Sequence, residues 1–404
     1  MAQGNNNHVP LPPPLPPVTP SVNINPSVVQ QLHRACRTGD RETLQILVPN
    51  VKDEINFTCD RSKETMLHMV TRHGYTDCMK VLLRNGANAD CIDSKRKNAL
   101  HIAAAAGNLE GLKLLIEHGA ELNKRDKYGR GGLHWATIFN HVECVKELIR
   151  ANAEIVCEGN WQPLHEAAKA GHNEIVQVLV DAGCDVKNPS KFPGPRRPWS
   201  PLHVACRQGN LETVKLLISL GANINTVNAG GHTPLHEAAY RGFEKILIEL
   251  LKNGAKCNAI SNQRRTPLHE ACIQGNVKVA AFLLDAGSNI HAQDVVMNTS
   301  LHYVVSANYG KDIKLQLLNM LLSYGADCLM LGKDDDTAID AAYANFFTEG
   351  IEIMKESLET PRLLALQCKI VIRKRMFKRM QDIHLLNLPS PLIKYVIEIE
   401  GTNL

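Results

Sequence analysis

The sequence predicts an all-α protein, built as an array of about ten short repeats and followed by a separate helical segment. The first observation is a histidine that recurs nine times between residues 33 and 302, mostly 33 residues apart and after a leucine. The second is that apolar residues at helical spacing, with glycines after them, surround each copy. The third is a change of composition after residue 360. A unit of this length, repeated at a fixed period, is typical of a solenoid.

One clear copy near the middle of the chain explains the repeating unit. Thr233 is suited to cap the first helix through its side-chain oxygen, and Pro234 suits the first helical position, where no backbone donor is needed. Leu235 is expected to face the core. Gly242 and Gly254 are expected to end the two short helices. Because neither helix can bury its apolar face alone, stacked neighbours must supply one continuous core.

The clearest copies read T-P-L-H-E-A at residues 233–238 and 266–271, and a degenerate copy at residues 337–342 is the tenth and last. This pattern resembles the ankyrin repeat, whose period is 33 residues and whose signature is T-P-L-H-x-A. The resemblance implies an ankyrin-repeat solenoid over residues 27–358. A proline-containing interruption at residues 190–199 is expected to lengthen one of the finger-like turns between repeats.

The repeated histidines occupy one position of the unit. They are His33, His68, His101, His134, His165, His203, His236, His269 and His302. In ankyrin repeats this residue resembles a hydrogen-bonding bracket between neighbouring loops, so we favour a structural role over catalysis. Three copies also read H-x-x-C, a spacing that zinc can use on a helix. Because other copies hold alanine at the cysteine position, we expect a small core site, no metal and no other cofactor.

Composition and charge limit the remaining functions. No apolar run reaches the roughly 18 residues of a membrane span, and no basic-then-apolar start marks a signal peptide. The twelve cysteines are scattered and are expected to be reduced thiols of a cytoplasmic protein. Residues 1–360 carry 37 Lys and Arg against 38 Asp and Glu, so a broad basic face for nucleic acid is not expected. No phosphate-loop or hydrolase motif is present, and we expect no enzyme.

The two ends of the chain differ from the array. Residues 1–26 include seven prolines between Val9 and Pro20 and are expected to form a disordered tail that favours polyproline II. Residues 361–404 hold 8 Lys and Arg against 3 Asp and Glu. As a helix, this segment has two opposite apolar stripes. The first stripe consists of Leu364, Cys368, Val371 and Ile372. One stripe suffices to dock a terminal helix on its own chain, so the other is expected to bind a partner.

This C-terminal segment resembles a SOCS box, a unit of three small helices, which we assign to residues 359–404. Its first element is similar to the BC-box, in which a leucine is followed by a cysteine four residues later and an aliphatic residue four beyond. Here these residues are Leu364, Cys368 and Ile372. In that family this face binds elongin C, which is carried with elongin B. The resemblance implies that the whole first stripe, with Val371, binds elongin.

The second element is similar to the cullin box, which is associated with cullin-5 and its RING subunit. The residues that match it are Leu386, Leu388, Pro389, Leu392 and Tyr395. Asn387 stands where that box usually has a proline, which implies altered cullin binding.

Two other interpretations of the C-terminal segment remain open. It can serve only as the cap of the array, although a cap normally presents a polar outer face. Its basic cluster at residues 373–379 can also act as a nuclear-import signal, which adds a nuclear location to the cytoplasmic one. Met376 and Phe377 interrupt that cluster and favour a packed helix.

An ankyrin array followed by this segment is similar to the ankyrin-repeat and SOCS-box family, the substrate receptors of cullin–RING ubiquitin ligases. The resemblance implies a non-catalytic subunit that binds a target protein through its repeats and promotes its ubiquitination and degradation. The alternative is an ankyrin-repeat scaffold that binds proteins without recruiting a ligase.

The target is expected to bind the finger tips and the exposed positions of the first helices. Trp135 and Tyr303 directly follow a repeated histidine, whereas Trp161 and Trp199 share the register just before the helix cap. Tryptophan is a favoured anchor of binding energy, so these four aromatic residues are our candidate target contacts. The alternative is that each tryptophan packs under its own finger.

Overall fold

The structure, a computed structural model, describes residues 25–58, 62–155, 162–187 and 199–359. Several predictions lie wholly or largely outside these ranges. They are the tail at residues 1–26, Trp161, the interruption at residues 190–199, and the segment at residues 359–404 with all its elongin- and cullin-binding residues.

The chain divides into two compact units, residues 1–157 (unit 1) and 158–404 (unit 2). Unit 1 contains four described helix pairs. They are α1 (Pro26–Thr38) with α2 (Arg41–Leu47), α3 (Met66–His73) with α4 (Thr76–Arg84), α5 (Ala99–Ala106) with α6 (Leu109–Glu117), and α7 (Gly132–Ile138) with α8 (Val142–Arg150). A 3-10 helix at Val48–Glu54 follows α2.

Unit 2 contains six described helix pairs. They are α9 (Pro163–Ala170) with α10 (Asn173–Asp181), α11 (Pro201–Gln208) with α12 (Leu211–Ser219), α13 (Pro234–Arg241) with α14 (Glu244–Lys252), α15 (Pro267–Gln274) with α16 (Val277–Asp285), α17 (Ser300–Ser306) with α18 (Lys311–Ser323), and α19 (Ala338–Ala344) with α20 (Thr348–Glu359). A 3-10 helix at Lys333–Asp335 precedes the last pair.

Each unit is a two-layered stack of these pairs. First helices pack on first helices, as α5 does on α7 and α13 on α15, and second helices pack on second helices, as α4 does on α6 and α14 on α16. The described residues contain no strand, only an isolated bridge between Leu331 and Thr337. The all-α repeat fold is thus confirmed, and its ten helix pairs match the ten predicted repeats.

The copy around α13 shows how the sequence sets the helix ends. Pro234 occupies the first position of α13, and Gly242 follows its last residue in the left-handed conformation, with φ 76°. A side chain with a Cβ is strained there, which explains the glycine. The predicted cap is also present: Thr233 and His236 form a capping box, in which the Thr233 side chain accepts the His236 backbone N–H and the His236 side chain accepts the Thr233 backbone N–H. The Thr233 hydroxyl also donates to Nδ1 of His236 at 2.9 Å.

The core lies between the helix layers and is built from the repeat's small and branched positions. Leu164, Leu202, Leu235 and Leu268 are fully buried in unit 2. Each such side chain contributes roughly 1.5–3 kcal/mol through burial. The cysteine of the H-x-x-C copies lies in this core: Cys272 is fully buried, and burial raises the pKa of its thiol to about 12.

Candidate protein-binding surfaces

Seven of the repeated histidines join a first helix to the next finger. In the copy at α13, Nδ1 of His236 accepts the Thr233 backbone N–H at 3.1 Å, and its Nε2–H donates to the Arg265 carbonyl at 3.0 Å. The same donation to a distant carbonyl is made by His68, His101, His165, His203, His269 and His302. The histidines are therefore the predicted brackets, and they fix where the finger tips lie.

Burial keeps these imidazoles neutral. In unit 2 it lowers the pKa of His165, His203, His236 and His269 to about 4. In unit 1 burial also lowers the pKa of His68 and His101. A neutral ring with a donating Nε2–H and an accepting Nδ1 suits a bracket, because a protonated ring could not accept at Nδ1.

Three finger turns are each organised by a buried carboxylate at the start of the turn. Oδ1 of Asp126 accepts the backbone N–H groups of Tyr128 and Arg130, at 2.8 and 2.9 Å. Asp93 and Asp294 accept in the same way in their own fingers. These carboxylates are at most 6% exposed. These carboxylates therefore stabilise the turn and are not exposed to a partner. The surface that a partner can contact is formed by the residues of the tip.

Trp135 lies on the first helix of the last pair in unit 1 and is half-buried against its own finger. Its indole N–H donates to Oδ2 of Asp126 at 3.2 Å. The Lys97 ammonium lies 3.5 Å from the ring centroid, a cation–π contact, and the Phe139 ring stacks on it at 5.9 Å. Burial lowers the pKa of Lys97, and the nearby Asp126 partly opposes this shift. The part of the indole left exposed is thus held rigidly beside cations.

Tyr303 occupies the equivalent position in unit 2 and is also half-buried. Its hydroxyl donates to Oδ2 of Asp294 at 2.5 Å and accepts from Nη2 of Arg265 at 2.9 Å. Burial and the bond to Asp294 raise the pKa of Tyr303. Trp135 and Tyr303 therefore share one design, in which an aromatic ring on the first helix is tied to the carboxylate that builds its finger.

Trp199 lies just before α11 and is half-buried. Its ring meets His203 edge-on, with centroids 5.8 Å apart, and the Arg207 guanidinium carbon lies 5.0 Å from its centroid. Its carbonyl accepts the Nε2–H of His165 at 2.8 Å. The structure therefore places Trp199 at the bracket between two repeats. Trp161 lies outside the described residues.

A second feature of unit 2 is a set of buried carboxylates just after the repeated histidines. Glu237 is 5% exposed, with Nη1 of Arg207 at 3.7 Å and Nδ1 of His232 at 3.9 Å. Glu270 is equally buried, and burial raises its pKa while the nearby Arg265 opposes the shift. These acids are matched by cations of their own unit, so they do not form a free acidic surface.

The fingers also carry exposed residues that the sequence analysis did not select. In unit 1, Tyr128 is 62% exposed. In unit 2, one finger tip exposes three consecutive apolar residues, Val295, Val296 and Met297. Their position between the turn-forming acid and the next helix cap was a usable signal, since that place in the repeat recurs with the period of the histidines.

Comparisons with known proteins identify the repeat. The family model described as "Ankyrin repeats (3 copies)" matches residues 32–126, 121–190 and 187–261, and the model described as "Ankyrin repeat" matches residues 263–295. These matches cover well over half of the chain, which therefore belongs to the ankyrin-repeat family. Ankyrin repeats mediate protein binding, so the surfaces above belong to a protein-binding class.

One similar solved structure is the crystal structure of the human ASB11 ankyrin repeat domain. It is 28% identical, has a TM-score of 0.47, and the match covers 51% of this chain and 90% of that chain. A search of curated proteins found no match.

Among the residues that the structure describes, no helix combines the length and the apolar character that a membrane span requires. The same residues contain no group of three or more His, Cys, Asp or Glu side chains placed to hold a metal ion.

Proposed function

We propose that this protein is a non-catalytic substrate receptor of a cullin–RING ubiquitin ligase. In this proposal the ankyrin repeats bind a target protein, and the SOCS-box-like segment at residues 359–404 binds elongin C, carried with elongin B, and cullin-5 with its RING subunit. The target is then ubiquitinated and degraded. The site of action is the cytoplasm, with the nucleus as a second location.

The observation that carries the proposal is the order of the motifs along the chain. Helix α20 ends at Glu359, and the leucine of the BC-box-like pattern, Leu364, follows five residues later. The cullin-box-like pattern begins at Leu386, twenty-two residues beyond that leucine. Either pattern alone is loose. Both in this order, directly after a protein-binding array, favour a receptor over a simple scaffold.

The chemistry that such a receptor supplies is proximity. Holding a target and a ligase core on one chain makes their encounter intramolecular and raises the effective concentration of a target lysine near the conjugating enzyme. No bond is made or broken by this chain itself. Such a receptor needs target-binding residues that are held rigidly, and it needs no catalytic group. The histidine brackets supply this rigidity within each unit.

The test is direct binding of purified elongin B–elongin C to the full chain. We expect a complex with one copy of each protein, and we expect Leu364→Asp to abolish it, because a charge cannot enter an apolar pocket without a large desolvation cost. The matched control is Leu329→Asp, since Leu329 is 56% exposed on a finger of unit 2. Absence of the complex with the unmodified chain, or equal binding by both variants, leaves only the ankyrin scaffold.

Cullin recruitment is tested separately, with the elongin-bound chain and purified cullin-5. Replacing Asn387 by proline restores the residue usual in the cullin box, and we expect tighter cullin binding. Leu392→Asp is expected to abolish cullin binding and to leave the elongins bound. If neither variant changes cullin binding, residues 386–396 are not a cullin-binding element.

A further inference from the structure

We propose that the finger tips of unit 1 form a binding site for an acidic peptide segment of a partner protein. The tips are residues 94–97 and 127–130, with Lys63 at the preceding finger. This assignment goes beyond the proposed function, because it concerns the repeats alone and holds whether or not a ligase binds the C-terminal segment.

The tips are basic because their acids are turned inward. Residues 94–97 and 127–130 contain five Lys or Arg and no Asp or Glu. The carboxylates that begin these fingers, Asp93 and Asp126, are 6% and 4% exposed and accept backbone N–H groups of the turns. The exposed charge of the tips is therefore positive.

Within the part of the chain that the structure describes, the exposed tip cations have no ion pairs, whereas cations nearby do. Lys63, Lys95, Arg96 and Lys127 are exposed, and none of them pairs with a carboxylate of the described residues. At the base of the same finger, Arg125 pairs with Glu154 at 2.7 Å and Lys124 pairs with Glu121 at 3.1 Å. A row of unpaired cations repels itself, so an anionic partner stabilises it.

The fingers hold these cations in one row. The Ser94 N–H donates to the Ser62 carbonyl at 2.7 Å, and the Lys127 N–H donates to the Lys95 carbonyl at 3.0 Å. Each finger is itself a hairpin, closed for example by the Asp93 N–H, which donates to the Lys97 carbonyl at 2.9 Å. Because packed helices lie about 8–10 Å apart, neighbouring tips repeat at about 10 Å and three tips span about 20 Å. An extended peptide rises about 3.3 Å per residue, so about six residues of an acidic segment cover the row.

Exposed rings beside the cations favour a peptide as the partner. Tyr128 is 62% exposed, with the Lys127 ammonium 4.9 Å from its ring centroid, and Phe139 lies next to Trp135 on the same unit. Aromatic residues and arginine, which the tips hold as Arg96 and Arg130, are enriched at protein interfaces. Nucleic acid calls for a broader basic face, and residues 1–157 hold 19 Lys and Arg against 16 Asp and Glu.

The test uses the full chain and a fluorescent peptide of about eight glutamates, about 26 Å long when extended. The comparison peptide has glutamine in place of every glutamate. We expect the glutamate peptide to bind at least about tenfold more tightly, and to weaken when salt rises from about 0.05 to 0.5 M, because salt screens exposed charges. Equal binding of the two peptides overturns the proposal.

The variant that locates the site is Lys95→Gln/Arg96→Gln/Lys127→Gln. We expect it to weaken glutamate-peptide binding about tenfold or more. The matched control is Lys52→Gln/Lys80→Gln/Arg84→Gln, which removes the same charges from exposed positions elsewhere in unit 1. The control is expected to bind within about twofold of the unmodified chain.

Three results overturn the assignment. They are an equal loss in the two triple variants, no loss in either, or tighter binding of a single-stranded oligonucleotide of equal charge than of the peptide. All six substitutions lie on exposed side chains, so folding is expected to be preserved and is checked by circular dichroism. Elongin binding by the tip variant is expected to be unchanged, so this proposal and the proposed function fail independently.

Discussion

The fingers of unit 1 and unit 2 share one backbone plan but present different chemistry. In unit 1 the tips at residues 94–97 and 127–130 carry five Lys or Arg, whereas in unit 2 the tip at residues 262–265 carries two and the tip at residues 295–297 is Val-Val-Met. Net charge follows the same division. Residues 1–157 hold 19 Lys and Arg against 16 Asp and Glu, and residues 158–360 hold 18 against 22. The repeat thus fixes position, while the tip residues determine which partner each unit attracts.

The side chains that hold the finger tips in place also differ between the two units. The bracket histidines with a pKa of about 4 all belong to unit 2. Trp135 makes one side-chain hydrogen bond to its finger, to Asp126, whereas the Tyr303 hydroxyl makes two, donating to Asp294 and accepting from Arg265. Both differences predict measurable contrasts between the units.

The largest expected contrast is the response to acid. A buried histidine with a pKa near 4 stays neutral in the fold, whereas the unfolded imidazole binds a proton below about 6.5. The stability from the unit 2 brackets is therefore complete above about pH 6.5 and is lost as the pH falls toward 4, at up to about 1.4 kcal/mol per histidine and pH unit. Hydrogen exchange at pH 7 and 5 should show a greater loss of protection in α9–α15 than in α3–α5.

A single variant checks the cause of this acid response. In His236→Gln the side-chain amide can still donate to the Arg265 carbonyl but cannot titrate. Between pH 7 and 5, we expect the full chain with this substitution to lose less of its free energy of unfolding than the unmodified chain does. The difference is expected to equal the contribution of one titrating histidine. An unchanged pH dependence means that another group controls the acid response.

The next contrast compares the two ring-to-finger ties. Tyr303→Phe removes the hydroxyl that joins Asp294 to Arg265, and we expect a loss of about 2 kcal/mol in the free energy of unfolding. Trp135→Phe removes one bond to Asp126 and is expected to cost about 1 kcal/mol. Urea denaturation measures both. Equal costs, or a larger cost for Trp135→Phe, contradict the stronger tie in unit 2.

The smallest contrast concerns the finger turns themselves. Gly129 and Met297 occupy the same left-handed turn position, with φ 78° and 66°. A residue with a Cβ is strained in that region by roughly 1–2 kcal/mol, and glycine is not. We expect Met297→Gly to stabilise the chain by up to about 1 kcal/mol and Gly129→Ala to destabilise it by about as much. Thermal unfolding of the two variants gives the signs, and matching signs refute the shared geometry.

Local patterns were sufficient for the repeat but not for its surface. Pro234 and Gly242 specify the helix ends through backbone chemistry alone, and Leu235 marks the core by its spacing, so these features were predicted correctly. Thr233 was also predicted correctly as the cap, but the second bond of its hydroxyl, to the side chain of His236, was not predicted. The tie from Trp135 to Asp126 joins residues of one finger and one helix, and only the folded turn brings them together.

The exposure of the tip residues was equally hidden in the sequence. Lys95 and Lys127 read as ordinary charges until the structure shows that Asp93 and Asp126 are buried in the turns. The buried Glu237 and Glu270 present the opposite case, since charged residues are expected outside and here lie among cations of their own unit. Packing decides which charged side chains stay exposed to a partner, and the periodicity of the sequence does not show this.

The most direct test of the difference between the units is to locate a bound acidic peptide on the full chain. A glutamate peptide that carries a photo-reactive group is cross-linked to the protein, and mass spectrometry identifies the attachment sites. We predict attachment within residues 94–97 and 127–139 of unit 1. Attachment concentrated at residues 294–298 of unit 2, or spread equally over both units, contradicts the account.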